Sequence, residues 1–363
     1  MKDWKTNLRM ATPYVPGEQP TETDIIKLNT NENPYPPAPG VADALAGLLT
    51  EQLRLYPEPD AGRLASALAK RYGVAKEQIF IGTGSDDVLG MAFLTCFAGA
   101  AHAKQLGQAV EEHMVLFPDI TYSFYPVWAE LFGIPYRRPA LDEEFRIRKE
   151  DYFVPNGGIV LANPNAPTSI AEDTAVIEDI IHHNPESVVI VDEAYVDFGA
   201  ESVLPLVEKY ENLLVVQTFS KSRSMAGMRI GFAVGSRTLI AAMQAVRNSY
   251  NSYPMSLPAI LCGVAAVEDE AYFAQTTAAI IKTREASAVR LKQLGFTVLP
   301  SKTNFLFVSH KAVLAEELFE RLREKHIYVR YFRQERIQNY LRITVGTDAQ
   351  MEHFFEVLTT LVS

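Results

Sequence analysis

Ser187–Phe198, SVVIVDEAYVDF, and Asn212–Phe232, NLLVVQTFSKSRSMAGMRIGF, decide the fold class of this chain. Each opens on an apolar, largely β-branched run without polar alternation and then breaks into charged or hydroxyl side chains. A strand that is apolar on both faces must be covered on both, which is the condition of a parallel sheet between helix layers. Three runs of the same kind precede them: Gln78–Gly82 (QIFIG), His113–Phe117 (HMVLF) and Gly158–Ala162 (GIVLA). Amphipathic segments such as Ala61–Gly73 and Asp86–Gly99 lie between. This alternation predicts an α/β fold, a mostly parallel sheet flanked by helices. Ligands of such sheets gather at the carboxyl ends of the strands, so the polar residues that close each run are the ones to inspect.

Outside the alternation the pattern changes. Met1–Gly40 is rich in Pro, Asn and Thr and reads as an arm or an active-site loop. From Leu257 a helical pattern runs to Leu294, and then GFTVLP, TNFLFVSH, IYVRYF and YLRITVG give strands around a helix over Ala312–His326. The expected division is a large domain over 41–258 and a smaller α+β domain from 259–363 joined by the arm 1–40. The length of 363 residues fits two domains, or one large α/β unit carrying a smaller appendage, at ~150 residues per domain. Ala98–Val110 carries no visible chemistry and reads as a surface insertion.

With 34 basic and 44 acidic residues the net charge is −10, which excludes a general electrostatic grip on nucleic acid or on an anionic membrane. Cys96 and Cys262 sit in apolar stretches without metal or redox spacing and read as buried, reduced thiols. Scattered histidines, with His182-His183 before Asn184-Pro185 at an expected helix end, give no metal motif. Neither a signal-peptide pattern nor a membrane-length apolar run is present, so a cytoplasmic protein is expected.

Three strand ends carry candidate chemistry. Ile81–Asp87, IGTGSDD, is a strand, a glycine turn and a helix start; it suits an anion held by backbone N–H groups, or a tight turn capped by Ser85 or Asp86. Asp192 closes a fully apolar strand and needs a partner if it is buried as an ion, with a turn cap as the alternative. Ser220-Lys221 closes another strand and Arg229 follows in SKxxxxAGxRxG; a partly desolvated lysine there can act on a carbonyl, whereas a solvated surface lysine is the common case. An anion cradle, a buried aspartate, a strand-end lysine and an arginine together ask for one ligand that is phosphorylated, cationic in its ring and reactive towards an amine. Pyridoxal 5′-phosphate meets all four demands.

The order GxGSD, FPDITYSFY, NPNAPT, VDEAY, SKxxxxAGxR, LRITVG resembles the fold-type I pyridoxal-phosphate aminotransferases, and among them the histidinol-phosphate aminotransferase family. The likeness extends from Thr12–Tyr14 and Leu28–Pro34 to Leu341–Thr347. It implies that Lys221 holds the cofactor covalently and moves the substrate proton, that Asp192 pairs with the ring nitrogen and that Tyr195 bonds the ring hydroxyl. It also implies stacking by Tyr122, a phosphate site of Gly84, Ser85, Asp86, Ser220 and Arg229, and a contact from Tyr56 to the neighbouring subunit's cofactor in a homodimer with shared active sites. Arg342 resembles the arginine that binds the donor carboxylate, and Arg330 the one near a substrate phosphate, with Arg333 and Arg336 as possible substitutes and Tyr14 and Asn31 lining the same pocket. The family commonly has Asn where this chain has Ala166, and Gly where it has Ser169; Asn165 or Asn163 is expected to compensate, or Tyr195 to act alone.

The implied reaction is amino transfer between L-histidinol phosphate, a phosphorylated amino alcohol, and 2-oxoglutarate, a 2-oxo acid, giving imidazole acetol phosphate and L-glutamate in histidine biosynthesis. An aromatic-amino-acid aminotransferase and a threonine-phosphate decarboxylase are the alternatives on the same scaffold.

Overall fold

The computed structural model describes residues 3–362 except 16, 23, 106 and 108. Its strands, in chain order, are β1 (Ile26–Lys27), β2 (Ile79–Gly82), β3 (Val115–Leu116), β4 (Tyr136–Arg137), β5 (Gly158–Ala162), β6 (Val189–Asp192) and β7 (Leu213–Thr218). They continue with β8 (Gly231–Gly235), β9 (Phe296–Val298), β10 (Phe305–His310), β11 (Ile327–Tyr328), β12 (Arg330–Tyr331) and β13 (Leu341–Thr344). Seven of them form one sheet in the order β2-β8-β7-β6-β5-β3-β4, parallel throughout except for β8, which runs antiparallel between β2 and β7.

The central strands are apolar without interruption because each residue enters one of two cores. Ile159, Leu161, Val189, Val191, Leu213 and Val215 point to one face, and Val160, Ala162, Ile190, Leu214 and Val216 to the other. Burying each Val, Leu or Ile among them contributes roughly 1.5–3 kcal/mol before conformational entropy is counted. The helix Ser85–Cys96 and the helix Phe124–Phe132 cover the second face with an aromatic cluster of Phe93, Tyr125 and Trp128.

The large unit reaches beyond the expected boundary at 258. The helix Leu257–Glu268 buries Ala259, Ile260, Cys262 and Ala266 in the first core beside Val41 and Leu64. Only after Asp269, which caps the next helix through Tyr272 N–H, does the chain leave it along Glu270–Gln293. The single helical pattern expected over Leu257–Leu294 is therefore two helices, and its first half belongs to the large core.

The smaller unit is the antiparallel sheet β12-β13-β10-β9 with the helices Ala315–Glu324 and Asp348–Val362. The arm joins it: β1 pairs in parallel with β11. Within Ala98–Val110, Ala100–Gln105 is helical, and Leu106 and Gln108 lie outside the described residues. Cys262 is buried and Cys96 half-buried, and burial pushes the Cys96 thiol up to about 12. Among the described residues no helix is long and apolar enough to cross a membrane, and no group of three or more His, Cys, Asp or Glu is placed to hold a metal ion.

Candidate active site

The strand pairing lines up the ends of the runs singled out in the sequence. Gly231 stands between Gly82 and Thr218, and Asp192 pairs with Val216 on one side and Ala162 on the other. The loops leaving these positions therefore converge on a cavity of about 180 Å³ lined by Ser85, Asp86, Tyr122, Asp192, Tyr195, Ser220, Lys221 and Arg229. A side chain at Gly231 would collide with the Gly84–Ser85 backbone, so glycine at the head of β8 lets the helix start come in. Gly84 has φ +90°, and a Cβ on it would lie 2.5 Å from Nη2 of Arg229. The cradle thus consists of a bare backbone, the N-terminus of the helix Ser85–Cys96 and a guanidinium. First-turn N–H groups have no acceptor inside a helix, and its dipole favours an anion there.

Around the cradle the polar groups are chained. Arg229 donates to Asp86 Oδ2 at 3.2 Å and to Ser220 Oγ at 3.4 Å, and Tyr122 donates to Asp86 Oδ1 at 2.8 Å. Burial, with the Asp86 carboxylate beside it, holds the Tyr122 hydroxyl well above its ordinary pKa. Asp192, 5% exposed, accepts from Tyr125 OH at 2.8 Å and from Ala194 N at 3.1 Å. Burial, with Asp86 acting in the same direction, raises its carboxyl to about 6 against the pull of those two bonds, and among the described residues no cation offsets this, so a positive charge in the cavity would favour the carboxylate. Lys221 Nζ donates to the Thr30 carbonyl at 3.1 Å and lies 5.8 Å from the centre of the Tyr195 ring, while Asn31 Nδ2 donates to Tyr195 Oη at 2.9 Å.

A second cavity of about 150 Å³ shares Thr30, Tyr122, Ala166, Tyr195 and Lys221 with the first and adds Tyr14, Asn31, Arg330, Phe332 and Arg342. Arg342 donates Nη2 to the Asn29 carbonyl at 2.9 Å, and its buried Nε has no partner. Burial lowers its pKa, with Arg330 nearby acting in the same direction. Both guanidiniums lie 5.6 Å from the centre of the Phe332 ring. Two cations facing one aromatic wall, one with an unfilled donor, make a receptor for a doubly anionic or anion-plus-ring ligand.

Other expected residues are not brought to the cavity. Asn165 is a correction: Thr121 Oγ1 donates to its Oδ1, and its Nδ2 donates to the Ile120 carbonyl and Thr168 Oγ1, so the side chain organises its own loop. Asn163 is likewise held by Glu172. Ala166 lines both cavities, which leaves Tyr195 without asparagine support from that loop. Arg336 is paired with Asp119 and Arg333 is exposed, so neither stands in for Arg330. Tyr56 is 83% exposed, with its ring 4.7 Å from that of Tyr253.

Sequence reasoning passed over Tyr125, Thr30 and Phe332. Tyr125 stands three residues after Tyr122, a spacing that can bring two rings to one helix face. Thr30 acts through its backbone, which leaves no side-chain signal. Phe332 had none beyond its place two residues after Arg330.

A family model described as aminotransferase class I and II matches residues 23–358. The histidinol-phosphate aminotransferase of Acinetobacter baumannii is 49% identical over 361 residues, covering 99% of this chain and 97% of that one. That of Acinetobacter baylyi is 49% identical over 366 residues, covering 100% and 98%. The chain belongs to the histidinol-phosphate aminotransferase family. The solved histidinol-phosphate aminotransferase of Sinorhizobium meliloti, in complex with pyridoxal 5′-phosphate, is 24% identical, with a TM-score of 0.81 over 93% of this chain and 90% of that one. The architecture is accordingly that of the fold-type I transferases. The larger of the two cavities has the groups that this cofactor requires: an anion cradle without side-chain obstruction at Gly84, a buried carboxylate at Asp192 and a lysine shared with the second cavity.

Proposed function

We infer that this chain, a pyridoxal 5′-phosphate-dependent aminotransferase, transfers an amino group between L-histidinol phosphate and 2-oxoglutarate, giving imidazole acetol phosphate and L-glutamate in histidine biosynthesis. The observation that carries the reading is the receptor of Arg330, Arg342 and Phe332 opening directly onto Lys221. The 49% identity along the full chain supports the same reading.

When bound, pyridoxal 5′-phosphate supplies a carbonyl that condenses with amines and a ring that takes up the electrons left when a Cα–H bond breaks. The residues of the chain do the rest. Gly84, Ser85, Ser220 and Arg229 would hold the phosphate, and Tyr122 would flank the ring. Asp192 would stay ionised opposite a protonated ring nitrogen, and Tyr195, held by Asn31, would donate to the ring oxygen. Lys221 Nζ, which lines both cavities, would hold the cofactor carbonyl and, when free, would act as the base for the substrate Cα proton. Arg342 and Arg330 anchor the anionic groups of donor and acceptor, with Tyr14 beside the donor ring.

The exposed segment holding Leu49, Leu53, Leu55 and Tyr56, together with Tyr250 and Tyr253, is the surface that a second copy would cover. In that homodimer Tyr56 would reach the neighbour's cofactor phosphate. The reading belongs to a cytoplasmic biosynthetic enzyme.

Single-turnover absorbance of the holoenzyme with L-histidinol phosphate, L-phenylalanine and L-threonine phosphate tests the substrate. Rapid conversion of the cofactor to its amino form by L-histidinol phosphate alone is expected. Preference for L-phenylalanine would move the chain to the aromatic class, and carbon dioxide release from L-threonine phosphate would make it a lyase.

A further inference from the structure

The strands β12 and β13, which carry Arg330 and Arg342, are joined by residues 332–340, and this connection does not stay within its own sheet. It reaches the large domain through Arg336. The guanidinium donates to Asp119 Oδ2 at 2.9 Å and to the Asp142 carbonyl at 2.7 Å, and lies 5.6 Å from the centre of the Phe145 ring. Gln334 adds a bond to the Asp119 carbonyl at 3.3 Å, and Ile337 is buried with Ile120 and Phe145 in a small core shared by the two domains. Asp119 is itself fixed, since its Oδ1 accepts from Leu141 N at 2.9 Å. It stands three residues before Tyr122, which lines both cavities.

We propose that Arg336 and Asp119 form an interdomain clamp that sets the position of Arg330 and Arg342 relative to the Tyr122 wall, making Arg336 a positioning residue for the amino donor. The clamp rests on the substrate reading above only for the identity of the donor. An isolated, half-exposed ion pair would contribute little. This one is braced by a carbonyl, a ring and a buried isoleucine on the connection that holds both arginines, and a small displacement of a binding group is costly in reactions that depend on orientation.

The test is a double-mutant cycle on the holoenzyme with Arg336→Met, Asp119→Asn and the pair, plus Arg336→Lys. Asp119→Asn keeps an oxygen for Leu141 N–H and puts an NH2 group where Oδ2 accepted from Arg336, removing both the charge and that bond. Each single change should raise KM for L-histidinol phosphate roughly three- to tenfold with kcat within about twofold. The double variant should be no worse than either, Arg336→Lys should recover part of the loss, and the absorbance of the bound cofactor should not move. A second readout is independent of substrate. Amide exchange at Ile337 and Tyr340, whose N–H groups bond within the connection, should quicken in Arg336→Met while the amides of β5 and β6 do not. Unchanged exchange overturns the clamp, and quickened exchange with an unchanged KM, or additive KM effects in the cycle, overturns its positioning role. A wild-type enzyme that ignores L-histidinol phosphate would sink the substrate reading while the exchange measurement still judges the clamp.

Discussion

Along the floor of the cavity, Gly82, Gly231, Thr218 and Asp192 end neighbouring strands, and their short loops deliver Gly84, Lys221 and Tyr195 within a few residues of those ends. Across the opening, Arg330 and Arg342 come from a separate four-stranded sheet, Tyr14 from the arm and Tyr122 from the loop after β3. The floor is rigid because its residues are continuous with a sheet buried on both faces. Its opposite wall depends on contacts between chain segments up to hundreds of residues apart, such as Arg342 to the Asn29 carbonyl. Chemistry common to many substrates belongs on the first, and discrimination between substrates on the second.

Substitutions on the floor should be the most damaging. Lys221→Ala should lower turnover by ~10³-fold or more while the protein still folds; loss of the absorbance of lysine-bound cofactor is the check, and an unchanged spectrum would remove Lys221 from its role. Asp192→Asn should lower turnover by ~10²–10³-fold, and near-normal activity would break the assignment of this carboxylate to the ring nitrogen.

The same variant has a signature without cofactor. The Asp192 carboxyl is raised by burial to about 6 in the fold, so the folded chain holds this proton more tightly than the unfolded one. Its contribution to stability is therefore complete below about pH 4 and is lost as pH rises through about 6, amounting to ~3 kcal/mol. Denaturant unfolding of the cofactor-free protein from pH 4 to 7 should show a shallower decline for Asp192→Asn than for wild type. Glu193, raised to about 7 by burial despite bonds from Ser202, Gln217 and Val203 N–H, remains in both proteins and cancels in the difference.

On the opposite wall the effects should be smaller and depend on substrate. Arg342→Gln should weaken kcat/KM for L-glutamate by ~10²-fold, the scale of a lost charge-assisted pair, with the bound-cofactor spectrum intact. An equal loss of cofactor binding would erase the distinction between floor and wall. Tyr56→Phe should have the smallest effect, a roughly tenfold weakening of cofactor affinity with the proposed dimer retained, as expected for one hydrogen bond to a charged group. Titration of the apoenzyme and light scattering measure both, and an unchanged affinity would take Tyr56 out of the neighbour's site.

The floor was legible in the sequence for a physical reason. A strand covered on both faces must be apolar to its end, so GIVLA, Gly158–Ala162, appears in the structure at its own limits, and the polar residue closing a run marks the site edge. The run HMVLF is longer than the strand Val115–Leu116 that forms within it, because only the part paired to β5 and β4 keeps its ladder. IYVRYF contains two short strands, β11 paired to the arm and β12 to β13, a partition set by partners distant in the chain.

What the sequence determined by itself was the α/β alternation and the order of the motifs that end in Asp192, Lys221 and Arg229. These are local consequences of burial and turn chemistry. Tertiary structure alone decided that Asn165 supports its loop, that Thr30 offers a carbonyl to Lys221, that Leu257–Glu268 belongs to the large core and that Arg336 meets Asp119. Each of those outcomes depends on which partner a hydrogen-bonding group or apolar face meets first, and the partner is remote in sequence.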